Sequence, residues 1–194
     1  MARKSVKLLA ATPTEWVDAV LADFDAFLVD HANCERKASA LVMSLVVKYP
    51  DRTQIIPDLI KLAQEELQHF GEAYQFMEKR GIRFHKDSPD PYVNELITLA
   101  RHGRDDRFID RMLISSLIET RGAERFSLIA EALEDPELKS FYTKLWNSEI
   151  KHAHQFVHLL LREVDEDAVY PRLHELAEFE ASIMAGQKIR AALH

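Results

Sequence analysis

Apolar residues recur at alternating steps of four and three along four long stretches of this chain, the spacing that lines one face of an α-helix. One stretch runs from about Thr14 to Tyr49 and stops at Pro50-Asp51. A second runs from about Thr53 to Arg80 and stops at Gly81, a residue suited to a left-handed C-terminal cap. After the polar segment IRFHKDSPD, a short helix is expected with Asp90 as its N-cap and Pro91 in its first turn, ending near His102-Gly103. A third long helix covers about Asp105 to Glu134. Asp135-Pro136 repeats the cap-plus-proline signal and opens a fourth, to about Val164, and a last helix is predicted from about Pro171 to Ile189. No segment alternates with period two. The pattern predicts an all-α protein: a four-helix bundle with additional short and C-terminal helices, in which the connection between the second and third long helices is the crossover.

The stripes that such helices bury are not uniformly apolar. The first reads Phe24, Leu28, His31, Glu35, Ala38, Val42, Leu45, and the third reads Phe108, Met112, Ser115, Glu119, Gly122, Phe126, Ile129, Leu133. Each holds one acid at its middle. The second carries Glu66 and His69, and the fourth carries Glu149 and His152 between Leu145 and Phe156, so a lone Glu followed by Glu-x-x-His is presented twice. The two intervals, Glu35 to Glu66 and Glu119 to Glu149, differ by a single residue. One Glu-x-x-His arises by chance about once in a chain of this composition, and it is the paired arrangement on paired stripes that carries information. Glu124 is the rival to Glu119, but five residues turn a helix by about 140°, which takes it off the stripe.

Four carboxylates facing one core are tolerable only if something neutralises them, since each would otherwise lose several kcal/mol in desolvation besides repelling its neighbours. Two divalent metals balance four negative charges, and two imidazoles complete the coordination as neutral ligands. This donor set, a Glu from each of two helices and Glu-x-x-His from the other two, is that of di-iron and di-manganese carboxylate bundles. Oxygen and nitrogen donors suit iron or manganese, and spacing does not choose between them. Iron is favoured by the chemistry it opens: a reduced iron pair passes electrons to dioxygen and can attack an unactivated C–H bond in a dry pocket. His31, one turn before Glu35, is either a partner to the ligands, a pocket residue or a satisfied core histidine. His154, His158 and Cys34 read as surface or packing residues.

At 194 residues the chain is expected to form a single domain, and 47% apolar and 29% charged residues with five Gly and seven Pro fit an ordered helical globule. The lone cysteine, Cys34, excludes an internal disulfide framework and a four-cysteine metal site, and points to a reducing, cytoplasmic setting. The N-terminal residues make a poor signal peptide, and no apolar run approaches the length of a membrane span. Membrane partners are not expected.

At these same motifs the sequence resembles a known family. FLVDHANCERKAS (27 to 39), EELQHF (65 to 70), LIETRGAERF (117 to 126) and SEIKHAHQF (148 to 156) are similar to the tRNA hydroxylases that act on 2-methylthio-N6-isopentenyladenosine beside the anticodon. The likeness runs from about Leu8 through the fourth long helix. It implies a ferritin-like di-iron monooxygenase that hydroxylates the isopentenyl group with dioxygen and two electrons from an external donor, an electron-transfer partner that the sequence does not identify. Carried over onto this chain, Glu35 and His69 serve one iron, Glu119 and His152 serve the other, and Glu66 and Glu149 bridge.

A tRNA substrate sits awkwardly with a formal charge of −7 and a pI near 5.7, because phosphate contacts need a local basic patch. Arg101, Arg104, Arg107 and Arg111 cluster around one expected loop, Lys79, Arg80, Arg83 and Lys86 around another, and Arg3, Lys4 and Lys7 at the N-terminus. Arg101, Arg104 and Arg107 are the candidates for RNA contact, against the alternative of ordinary solvated charges paired with nearby acids. Competing readings are a ferritin or bacterioferritin-like iron store, a di-iron quinone-ring hydroxylase and a manganese catalase. The quinone reading calls for an exposed apolar helix, whereas the last helix is interrupted by Arg172, Glu175, Glu178 and Glu180. A rubrerythrin is disfavoured because one cysteine cannot build its second iron site.

Overall fold

The structure is a computed structural model that describes residues 6–85 and 89–194. Seven helices follow one another among the described residues: α1 (Glu15–Ala22), α2 (Phe24–Lys48), α3 (Ile56–Lys79), α4 (Pro91–Thr98), α5 (Arg104–Ala132), α6 (Pro136–Leu160) and α7 (Glu166–Gly186). No strand occurs among them. Arg3, Lys4 and Lys86 lie outside the described residues.

Several helix ends form as their sequence signals dictate. The Asp90 side chain accepts a hydrogen bond from the Val93 amide at 3.0 Å, and Asp135 accepts from Glu137 and Leu138 at 2.8 and 3.0 Å, each with proline just inside the helix. At the end of α3, Gly81 takes φ +70°, its amide donates to the Glu78 carbonyl at 3.0 Å, and the Ile82 amide donates to Met77 at 2.9 Å. That pair of bonds is the Schellman closure, which needs a residue free to enter the left-handed region.

Three helices depart from the periodicity. The short α4 ends at Thr98, ahead of the expected His102-Gly103, where Gly103 instead precedes α5. The stretch predicted as one helix from Thr14 to Tyr49 is divided at Asp23, whose side chain accepts from the Ala26 amide at 3.2 Å and so caps a new helix. Apolar spacing continues across the break, which is why periodicity alone runs through it. The last helix begins at Glu166, ahead of Pro171, and ends at Gly186. Pro171 cannot donate to the Asp167 carbonyl, but Asp167 is exposed, where water can serve that group.

The chain forms two compact units. One comprises Asp18–Pro89 with Ile189–Leu193, and the other the chain up to Val17, Asp90–Lys188 and His194. In the first unit α2 packs on α3, burying Phe27, Leu28, Val42 and Leu45 of α2 with Leu59, Leu62, Ala73 and Met77 of α3. Ser39 ties the pair by donating to the Ala63 carbonyl at 2.8 Å. In the second, α5 packs on α6, burying Phe108, Met112, Phe126 and Ile129 with Tyr142, Leu145, Phe156 and Leu160, and Ser116 donates across to Ala153 at 2.6 Å. The helix pairs thus repeat one plan, a buried apolar seam with one serine bridging backbones.

Candidate metal centre

In the α2–α3 unit the seam carries its polar residues as the stripe predicts. Glu35, Glu66, His69 and His31 are all buried, with exposures of 4% or less. The Glu35 carboxylate is held between two imidazoles: His31 Nε2 lies 2.8 Å from Oε1, and His69 Nδ1 lies 3.6 Å from Oε2. His69 Nδ1 is also 3.5 Å from Glu66 Oε2, one turn away on its own helix. Burial on its own raises the Glu35 carboxyl, but the hydrogen bonds and charge of His31 and His69 outweigh it and hold the group below the usual carboxylate range. An ionised carboxylate beside imidazole nitrogens, sealed from water, is a donor set for a hard divalent cation.

In the α5–α6 unit Glu149 and His152 are buried and meet at 3.0 Å between Oε2 and Nδ1. Ser148 lies 3.5 Å from the other ring nitrogen, His152 Nε2. Glu119 stands half-buried on α5, between buried Ser115 and Gly122 on the same face. Among the described residues each unit thus holds a buried Glu-x-x-His pair able to offer ligand atoms to a metal, Glu66 and His69 in one and Glu149 and His152 in the other. Carboxylate oxygen and imidazole nitrogen without thiolate fit iron or manganese and fit zinc-cysteine chemistry poorly.

Glu124 has a different task. It accepts from the Thr12 amide at 3.1 Å and hydroxyl at 2.7 Å, and pairs with Arg121. Arg121 is fully buried and also binds Glu180 at 2.7 Å and the Ala10 carbonyl at 2.9 Å, while Tyr92 donates to Glu180 at 3.0 Å. Burial alone lowers the Arg121 guanidinium, but Glu180 and Glu124 reverse the shift and keep it charged. Arg125, also buried and stacked on Trp16 at 4.9 Å, is pushed down to about 10 by burial and by the neighbouring Arg121. The Arg121, Glu124 and Arg125 of the ETRGAERF motif thus fasten the N-terminal segment and α7 to α5, a role that motif reading did not assign. Glu180 is likewise corrected: it does not break an apolar face as a solvated charge but is buried in an ion pair.

Of the basic candidates, Arg101 binds Asp106 at 2.9 Å and Asp110 at 2.8 Å, and Asp110, itself buried, also binds Arg172 at 2.9 Å. Arg104 and Arg107 are exposed at the start of α5, Arg104 with Asp105 at 3.6 Å.

Long helices with paired, buried Glu-x-x-His are the plan of the ferritin-like bundles. More narrowly, the chain belongs to the tRNA-(MS[2]IO[6]A)-hydroxylase (MiaE) family, which it matches over residues 1–194. It is 35% identical over 182 residues to the tRNA 2-(methylsulfanyl)-N(6)-isopentenyladenosine(37) hydroxylase of Pseudomonas putida, covering 92% of this chain and 88% of that protein. It is 28% identical over 131 residues to the protein of the same name from Salmonella typhimurium, covering 68% of this chain and 48% of that one. Among solved structures it is similar to "Protein 43 with aldehyde deformylating oxygenase activity from Synechococcus", with a TM-score of 0.92, 31% identity, and coverage of 96% of this chain and 94% of that one. The fold is the ferritin-like, all-helical one that the stripes predict.

Proposed function

We propose that this chain is an O2-dependent di-iron monooxygenase that hydroxylates the isopentenyl group of 2-methylthio-N6-isopentenyladenosine in tRNA. The observation that carries this reading is a buried Glu-x-x-His in each unit of a chain matched by one hydroxylase family from end to end. In it, Glu35, Glu66 and His69 from one unit and Glu119, Glu149 and His152 from the other hold two iron ions, the two units acting as one domain. Glu35 and His69 would hold one ion and Glu119 and His152 the other, with Glu66 and Glu149 contributing to both. When bound, the iron pair supplies the redox chemistry: one oxygen atom of O2 enters a C–H bond and the other leaves as water, with two electrons from an external donor and two protons.

What the protein contributes is position and dryness. His31 donates to Glu35 and fixes that carboxylate's orientation, as hydrogen-bonded neighbours of metal ligands do. The buried apolar seams that carry the ligands, with Leu62 on one and Phe126 on the other, would keep water from the reacting carbon. Arg104 and Arg107 meet RNA phosphates, while Arg101 braces the loop through Asp110. No helix among the described residues is long and apolar enough to cross a membrane, and a cytoplasmic site of action, where tRNA is modified, accords with that.

The test is nucleoside analysis of tRNA from cells with and without the protein. Deletion is expected to abolish the hydroxylated isopentenyl nucleoside, wild type to restore it, and Glu119→Ala to fail; an unchanged nucleoside profile on deletion contradicts the proposal. Reversal of charge at Arg104 and Arg107 is expected to weaken tRNA binding and flatten its salt dependence by about one unit of slope per lost contact.

A further inference from the structure

The C-terminal half of α3 and the segment after it carry three aromatic rings at the surface of the Asp18–Pro89 unit. Phe70, Tyr74 and Phe84 form a closed triangle, with ring centroids 6.0 Å apart for Phe70 and Tyr74, 5.6 Å for Phe70 and Phe84, and 6.1 Å for Tyr74 and Phe84. Rings grouped this closely ordinarily close a core. Here Tyr74 remains 38% exposed and Phe84 36%, and Leu67, on the same face of α3, is 55% exposed. Leu67, Phe70 and Tyr74 succeed one another by three and four residues, a stripe separate from the buried one that holds Glu66 and His69. Phe70 directly follows His69, so the stripe shares a turn with a proposed metal ligand.

Cations lie close to these rings in the chain, two of them over other aromatic residues of the same unit. Lys79 lies over the Phe76 ring at 4.9 Å, and Arg83, next to Phe84 in the chain, is exposed. Arg80 lies over the Phe24 ring at 5.4 Å while bonded to Asp25 at 2.6 Å. Carboxylates are present too, Glu72 accepting from Gln68 at 2.8 Å and Glu78 exposed, but the run Lys79, Arg80, Arg83 is a basic segment in a chain of charge −7. Partly exposed rings with cations close to them in the chain suit a ligand that offers flat rings and negative charge together, and unpaired RNA offers both. A base that must reach buried ligands has to leave its stack, and its neighbours then need surfaces to stack on.

We propose that Phe70, Tyr74 and Phe84 form a stacking platform for an unpaired stretch of RNA whose phosphates Lys79 and Arg83 contact. This rests on the tRNA reading above and adds the surface that receives the loop. The test is fluorescence anisotropy with a labelled anticodon stem-loop and, for comparison, a fully paired hairpin of equal length. Wild type binds the stem-loop more tightly. Tyr74→Ala and Phe84→Ala each weaken stem-loop binding about tenfold or more with the salt slope unchanged, whereas Arg83→Glu weakens binding and reduces the slope by about one. Tyr74→Phe retains affinity; Tyr74→Leu, which keeps apolar surface without a π face, does not. Circular dichroism melts that match wild type establish that these exposed substitutions leave the fold intact.

Stem-loop affinity unchanged in both alanine variants overturns the platform, and so does full recovery by Tyr74→Leu. Loss confined to the rate of electron delivery, with RNA affinity unchanged, overturns it in favour of a protein-docking face. A wild-type protein that binds neither RNA overturns the tRNA reading and this proposal together, whereas wild-type binding that every aromatic substitution leaves intact overturns the platform alone.

Discussion

His31 illustrates how a single buried side chain acts through its neighbour. Its ring nitrogen sits 2.8 Å from Glu35 Oε1, and neither residue is open to solvent. Replacing it by alanine leaves every proposed ligand in place but removes the bond that orients one of them, and iron affinity is expected to fall about 10- to 100-fold; isothermal titration with Fe(II) under anaerobic conditions measures this, and a lowered melting temperature with unchanged affinity would reduce His31 to packing. Arg121 and Glu180 are a different case, a buried pair whose partners are otherwise structural. Glu180→Ala leaves a buried guanidinium short of charge and is expected to destabilise the fold by about 3–5 kcal/mol in urea unfolding, with the spectrum of the iron-loaded protein unchanged. The stripe rule that exposes Glu35 and Glu149 applies equally to Glu180, which lies on the buried line Val169, Leu173, Leu176, Glu180, Met184. What sequence does not disclose is the partner, because Arg121 lies 59 residues away on another helix.

At the scale of elements, polar signals that act locally were legible and those that compete with periodicity were not. Asp90, Asp135 and Gly81 end or begin helices through bonds to residues within five positions, and short-range geometry is written in short-range sequence. Asp23 uses the same chemistry, yet the apolar pattern runs on through it. Pro171 misleads in the opposite sense, as an interior proline that resembles a first-turn one. Gly81→Ala, which forces a Cβ into φ +70°, should lower stability by about 1–2 kcal/mol, seen as a lower urea midpoint at constant slope. The α5 start has its own pH dependence. Burial alone would raise the Asp110 carboxyl, but Arg172 and Arg101 outweigh it and hold it below its usual value. Its stabilisation is therefore complete above the unfolded value of about 3.9 and is lost as pH falls through the lower folded value. Asp110→Asn should flatten the acid limb of the stability profile measured by thermal melts from pH 2 to 7; an unaltered limb would assign acid unfolding to other carboxylates.

For the whole molecule, the repeat of Glu and Glu-x-x-His at nearly equal intervals is the deepest regularity in the chain, and each copy resides in its own compact unit. Each unit buries an acid-imidazole pair against an apolar seam, an arrangement that the proposed metal ligation accounts for. The burial of Glu35, Glu66, His69, Glu149 and His152 was legible because the helix enforces the spacing of a stripe, whereas Glu119 on the same kind of stripe stays half-buried. The Arg121 and Asp110 networks and the aromatic patch were not legible, since they are made by residues brought together from separate elements. The central claim is that two iron ions are held by six named side chains. Its most direct measurement is the iron content of the chain after anaerobic Fe(II) loading and removal of loose metal: two per wild-type chain is the predicted result, and one or none would contradict the account.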